Sequence, residues 1–218
     1  MLHQHLNAIH DTKPENILGA FYKAVQSLMQ EHHLQVANEC FDITELEFYY
    51  FNTQAHKDPY AHMHCMQLEF GKWYVHEKSI ARGGIDYTFG NGINFGSILI
   101  RELRNQNDNK FITGPAKVRQ EITDLFSNNL ESESHSKLQA LFNDNSIKLV
   151  KHHKKELDIT CGKRIGLTEK SICFAANFQD KTYRFVANKK DKRRDNHNKP
   201  ISTKYINDLK SIKLFDTN

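Results

Sequence analysis

Ile43-Thr44-Glu45-Leu46-Glu47-Phe48-Tyr49-Tyr50 sets two carboxylates inside an apolar, aromatic run. These residue types favour a β-strand, and in a strand alternate side chains share a face. Glu45, Glu47 and Tyr49 therefore point one way, and Leu46, Phe48 and Tyr50 point the other. A half-buried strand normally gives its acids to water, yet here an aromatic ring shares their face. An edge strand with solvated acids, one of them in a surface ion pair, accounts for the spacing, since charged residues are rarely fully buried. A carboxylate beside a stacking surface accounts for it as well, and chemistry on a flat, extruded ring needs that pairing.

Outward from this strand, 218 residues fit one domain. Fourteen Phe and eight Tyr supply bulk for a core although only 39% of the chain is apolar. The mean hydropathy is −0.67, and every apolar stretch falls well short of the roughly 20 residues a membrane span needs. The first residues carry neither a basic nor an apolar leader segment, so no signal peptide is expected. Cys40, Cys65, Cys161 and Cys173 form no Cys-x-x-Cys pair, which argues against a zinc knuckle or a disulfide scaffold and for a reducing cytoplasm. A net charge of +4 weakly favours an acidic partner such as nucleic acid.

Thr12-Lys13-Pro14-Glu15 has the form of a capping box, and Ile17, Phe21, Val25 and Leu28 follow at helical spacing, predicting a helix over about 13–32. Strands are expected at 41–51, 72–76, 85–89 and 95–103, the last two joined through Asn91-Gly92, a strong hairpin signal. Gly114-Pro115 opens a helix with Val118, Ile122 and Leu125 on one face. A further helix is expected over 134–142. Strands follow near 147–150, 156–160, 171–178 and 181–187, and a short helix near 203–212. The only low-complexity run, 189–199, is basic and Asn-rich.

Three other constellations carry chemistry. His56, Asp58, His62 and His64, with Cys65 adjacent and His76 downstream, offer metal-ligand types in one loop. Their spacing matches no strong zinc motif, and packed loop histidines explain them as well. Gly90-Asn91-Gly92-Ile93-Asn94-Phe95-Gly96 is a hairpin turn rather than a phosphate cradle, because no helix follows it. Lys189-Lys190-Asp191-Lys192-Arg193-Arg194 can contact phosphates or lie solvated. Tyr49, Trp73, Tyr74 and Tyr87 can stack bases or pack the core.

Read in order, these pieces resemble the alkyladenine (3-methyladenine) DNA glycosylase family. Its Ile-Thr-Glu-x-Glu-Ala-Tyr strand is matched by residues 43–49, its Ala-His element by Ala61-His62, and its Tyr-Val-Tyr strand by Tyr74-Val75-His76. Leu99-Ile100-Arg101, the segment from Gly114 to Gln120, Arg164-Ile165-Gly166-Leu167 and Tyr183-Arg184-Phe185 match later segments, so the similarity spans roughly 41–188. Four departures stand out. His76 replaces a tyrosine, and the stretch between His62 and Tyr74 is short. The family's Tyr-Gly wedge reads Gly83-Gly84, leaving Ile80 or Arg82 as substitutes. Its base-sorting Met-Asn element has no clean counterpart.

The resemblance implies a single α+β domain over 1–218, with a curved antiparallel sheet flanked by helices. It implies a monofunctional glycosylase, working without cofactor or metal, that flips and excises alkylated or deaminated purines in base excision repair. Glu47 would be the general base and Arg101 would hold the attacking water. Tyr49, His62, Tyr74, His76 and Asp86 would contact the flipped base, and Arg82, Lys117, Arg164, Lys192 and Arg193 the DNA. The implied partner is single- or double-stranded DNA, bound by a monomer, with no membrane. The physics suits these roles: a carboxylate activates water and stabilises an oxocarbenium-like state, and rings grip the extruded base. Two rivals are a non-catalytic nucleic-acid-binding module of the same fold and a metal-dependent hydrolase built on His56, Asp58, His62 and His64.

Overall fold

The computed structural model describes residues 1–76, 83–126, 139–140, 142, 146–167, 175–187 and 210–211. They form a mixed α+β fold built on an open antiparallel sheet. The strands are β1 (His32–Val36), β2 (Glu39–Asn52), β3 (His56–Lys57), β4 (Phe70–Val75), β5 (Ile85–Phe89), β6 (Phe95–Asn105), β7 (Phe111–Thr113), β8 (Ile147–Lys151), β9 (Ile159–Gly162), β10 (Arg184–Ala187) and β11 (Lys210–Ser211). The helices are α1 (Leu2–Ala8), α2 (Ile17–Glu31), α3 (Pro115–Phe126) and α4 (Ala175–Gln179). The sheet order is β11-β9-β10-β2-β6-β5-β4; β1 and β3 pair with β2, β7 with β6, and β8 with β1. No helix among the described residues is long and apolar enough to cross a membrane.

The long β2–β6 pair is the spine. Leu46, Phe48 and Tyr50 of β2 are buried in the core, as alternation requires, beside Ile98 and Ile100 of β6. Phe21 of α2 stacks on Phe48 with ring centroids 4.3 Å apart. The apolar stripe of α2 (Ile17, Phe21, Ala24, Val25, Leu28, Met29) is buried throughout. Each such aliphatic or aromatic side chain contributes about 1.5–3 kcal/mol on leaving water.

Strict alternation fails at one level. Ile43 opposes Leu103 and Leu46 opposes Ile100, and all four lie in the core. Each strand therefore fits two residues, not one, between its core positions: Thr44 and Glu45 on β2, Arg101 and Glu102 on β6. The two irregularities compensate, so the register is the same on either side. Thr44 donates its hydroxyl hydrogen to Glu102 at 2.8 Å, and Thr113 of β7 donates to the other Glu102 oxygen at 2.8 Å. This paired bulge re-aims Glu45 and Arg101, a device common beside active sites.

Several expectations change. Thr12 does not cap a helix: its hydroxyl donates back to the Ala8 carbonyl at 2.7 Å, closing off α1, which carries no sequence signal of its own. Pro14–Asn16 is a 3-10 turn and α2 starts at Ile17. A capping box is formed instead by His64 and Gln67 on the 3-10 turn Cys65–Leu68. Strand β1 was not expected. The strand predicted over 171–178 is helix α4 from Ala175 onward, and the tail helix predicted over 203–212 gives strand at Lys210–Ser211. The remainder of both segments, most of 134–142 and the basic loop 189–199 lie outside the described residues.

Candidate active site

The face of the sheet opposite α2 carries the candidate site. Cross-strand pairing puts Arg184 (β10), Glu47 (β2), Leu99 (β6), Asp86 (β5) and Tyr74 (β4) in one row. Paired residues point to the same side of a sheet, so this row is a single surface with Leu99 between two carboxylates. Glu47 and Asp86 stand two strand spacings apart, about 10 Å between backbones.

Glu47 is fully buried (0% exposed). Three donors hold its carboxylate. The Tyr49 hydroxyl donates to Oε2 at 2.8 Å, the Ile165 backbone N–H donates to Oε1 at 2.7 Å, and the Arg101 guanidinium approaches Oε2 at 3.3 Å. Arg101 also donates to Glu45 at 3.1 Å, and Arg184 lies 3.5 Å from the same Glu45 oxygen. Two acids and two guanidiniums thus compensate one another, which a buried charge requires. Burial works against the Arg101 charge, but Glu47 and Glu45 outweigh it and raise its pKa. Burial, then the Glu47 charge, pushes the Tyr49 phenol well above its usual value, so it remains a donor.

Across Leu99 stands a wall of rings. The Tyr74 ring stacks on His64 at 4.6 Å, and His62 stacks on His76 at 5.6 Å. Tyr74 and His62 share a hydrogen bond of 2.9 Å. His76 Nε2 meets Asp86 at 2.9 Å, and Gln67 donates to the second Asp86 oxygen at 3.2 Å and to Ser97 at 2.8 Å. Tyr74 is fully buried, while His62 is exposed and His76 half-buried, so the wall rises from the sheet towards solvent. The backbone of Gly84 packs directly on Leu99, which only a glycine permits: a Cβ there would lie 2.6 Å from Leu99 Cδ1.

The expected site residues therefore divide into groups. Glu47, Arg101 and Tyr49 come together, and His62, Tyr74, His76 and Asp86 come together. Tyr49 is not part of the ring wall: its hydroxyl serves Glu47 and its ring lies 4.6 Å from the Arg164 guanidinium. Lys117 is exposed in the first turn of α3. Arg82, Lys192 and Arg193 lie outside the described residues.

Arg164 does not fit its expected role as a DNA contact. Its side chain is 0% exposed and forms a two-pronged pair with Asp58, at 2.5 and 3.1 Å. Two backbone carbonyls, Phe48 at 3.1 Å and Phe178 at 3.2 Å, accept from its two terminal nitrogens as well, while its buried Nε–H has no partner. A guanidinium so enclosed reaches no phosphate. Asp58 is thereby withdrawn from the suggested metal set, and so is His56. His56 Nδ1 donates to the Tyr50 carbonyl at 2.9 Å, which leaves Nε2 to accept the Tyr183 hydroxyl at 2.9 Å. Burial lowers the His56 pKa and favours this neutral form. Among the described residues no group of His, Cys, Asp or Glu is arranged to hold a metal ion.

Sequence reasoning missed three participants: the Ile165 amide, the Glu45–Arg184 contact and Gln67. A backbone amide leaves no trace in residue type. Arg184 carried a signal, since Tyr183-Arg184-Phe185 stood out as a segment. A pocket of about 250 Å³ is lined by Lys163, Arg164, Ile165, Gly166, Gln179 and Arg184 among others. Comparison with protein-family models and with curated proteins gives no match.

Proposed function

We propose that the chain is a DNA glycosylase of the alkyladenine type, which hydrolyses the N-glycosidic bond of a damaged purine. The observation that carries this reading is the buried Glu47 carboxyl group, paired with Arg101 and on the same sheet face as a ring wall, one leucine away. A carboxylate accepts about four hydrogen bonds. Tyr49 and Arg101 take Oε2 and Ile165 takes one place on Oε1, so Oε1 retains capacity for the attacking water beside Arg101. The motif order from residue 43 to residue 185 supports the same reading, and so does an antiparallel sheet with the aromatic wall rising from it.

In this mechanism the purine lies against the ring wall of His62 and His76. The bond from the anomeric carbon to the purine nitrogen breaks first, and its electron pair leaves with the base. The negative charge of Glu47 stabilises the oxocarbenium-like state that results, and Glu47 then accepts a proton from water as the water oxygen bonds to the anomeric carbon. Because Glu47 is fully enclosed in this conformation, DNA binding must displace its cover before reaction.

The test is excision from single- and double-stranded oligonucleotides bearing hypoxanthine, 3-methyladenine or 7-methylguanine, with alkaline cleavage of the abasic product. Glu47→Gln should bind the same DNA and lose the rate by orders of magnitude. Unchanged excision by that variant removes Glu47 from the mechanism. The enclosure of Glu47 favours one second reading, a nucleic-acid-binding module of the same fold without chemistry. That reading predicts salt-sensitive DNA binding and no abasic product on any lesion.

A further inference from the structure

We infer that the buried Arg164–Asp58 pair is the positioning device for the Glu47 carboxylate, an inference that rests on the glycosylase reading of that carboxylate. Arg164 touches every neutral group that orients Glu47. The residue after it supplies the Ile165 amide at 2.7 Å. Its guanidinium lies 4.6 Å from the ring of Tyr49, whose hydroxyl is on the other Glu47 oxygen. Its Nη1 grips the carbonyl of Phe48, the residue between Glu47 and Tyr49 on β2.

Asp58 ties this grip to the opposite wall. Besides holding Arg164, its Oδ1 accepts the Tyr60 amide at 3.0 Å and its carbonyl accepts the Ala61 amide at 3.2 Å. That turn delivers His62, which stacks on His76. One ion pair therefore fixes the base-activating side and the ring side of the site relative to each other. The fold alone does not call for charge here, since well-packed apolar side chains of similar volume replace buried ion pairs without loss of stability. Apolar groups supply no planar fork, and it takes such a fork to align a strand carbonyl, a carboxylate and a ring at once.

Arg164 and Asp58 are both 0% exposed at their side chains, so neither contacts DNA and both act through Glu47. The test measures single-turnover excision of a lesion-bearing duplex and, by fluorescence anisotropy, affinity for that duplex across a salt series. Arg164→Lys and Asp58→Asn should lower the rate about 100-fold, the cost of a small misplacement of a reacting group. The dissociation constant should stay within about threefold and the salt slope should not change. A phosphate contact would instead weaken binding and reduce the salt slope by about one, which overturns the inference. Wild-type rates in either folded variant overturn it too, provided Glu47→Gln is inactive. Where a single variant melts below the assay temperature, the double variant Asp58→Asn/Arg164→Gln, which buries no lone charge, is read in its place with the same criteria. A wild-type protein that excises no lesion overturns the glycosylase reading and takes this inference with it.

Discussion

Glu47 concentrates the energetic tension of the molecule in one side chain. A carboxylate without water is costly unless donors replace the solvent, and here a phenol, an amide and a guanidinium do so. Hydrogen bonds to charged groups are worth about 1.5–3 kcal/mol each. Tyr49→Phe removes one donor and keeps the ring on Arg164, so urea denaturation should show a loss of about 1.5–3 kcal/mol. A loss under about 0.5 kcal/mol would mean that the bond contributes little. The Tyr49 phenol titrates above its ordinary value of 10.0 because burial and then the Glu47 charge oppose the phenolate. Raising the pH to 10 should therefore leave Tyr49 protonated, and tyrosinate absorbance in the wild type and Tyr49→Phe should rise alike up to that point.

Elements rather than single residues decide where the site residues point. The paired bulge in β2 and β6 keeps Ile43 and Leu103 in the core while turning Glu45 and Arg101 to the other face. The 3-10 turn Cys65–Leu68 supports the opposite side, because its Gln67 holds Asp86 and Ser97. That turn lies against the end of β5, where Gly90 donates its amide to the Glu69 carbonyl at 3.0 Å. A Cβ on Gly90 would overlap the Gln67 carbonyl and the Leu68 backbone, neither of which can rotate away. Gly90→Ala should therefore destabilise the fold by about 3 kcal/mol, at the upper end of ordinary overpacking, read as a lowered thermal midpoint. It should also loosen Gln67 from Asp86. An unchanged midpoint would show that the turn moves freely and does not brace the wall.

At the scale of the whole molecule, the strands with strong periodicity or turn chemistry were legible. The faces of residues 45–50, the Asn91-Gly92 hairpin and the proline-started helix α3 follow from local chemistry. Strands β1 and β11 and helix α4 did not, since their identity depends on distant partners rather than on local pattern. For the site, the shared face of Glu47 and Tyr49 followed from strand alternation, whereas Arg101 was singled out only through the resemblance; Tyr49 serves the carboxylate rather than the ring wall. Arg164 was expected to contact DNA and Asp58 belonged to a rival metal set; their burial and pairing are properties of the assembled chain. The same assembly buries His56 and partly covers His10 and His33, which gives stability a pH dependence. His10 and His56 are held neutral chiefly by burial, and His33 by burial and then the nearby His152; all three pKa values fall below the ordinary 6.5. A group whose folded pKa is depressed takes up its proton more readily when unfolded, so acid favours the unfolded chain. Their contribution is complete above pH 6.5 and is lost as pH drops through the lower, folded values. Asp42 behaves in the same sense at lower pH: burial opposes its charge, but hydrogen bonds from Lys155, Arg104 and Gln106 outweigh it and hold its pKa below 3.8. Urea midpoints should therefore be level from pH 8 to about 6.5, fall as the pH drops below 6.5, and fall again below 3.8. His56→Gln should flatten the first decline while lowering the plateau, because an amide keeps a donor for the Tyr50 carbonyl but takes no proton. A wild-type midpoint that stays level as the pH drops from 6.5 to the carboxylate range would contradict the lowered pKa values of these imidazoles.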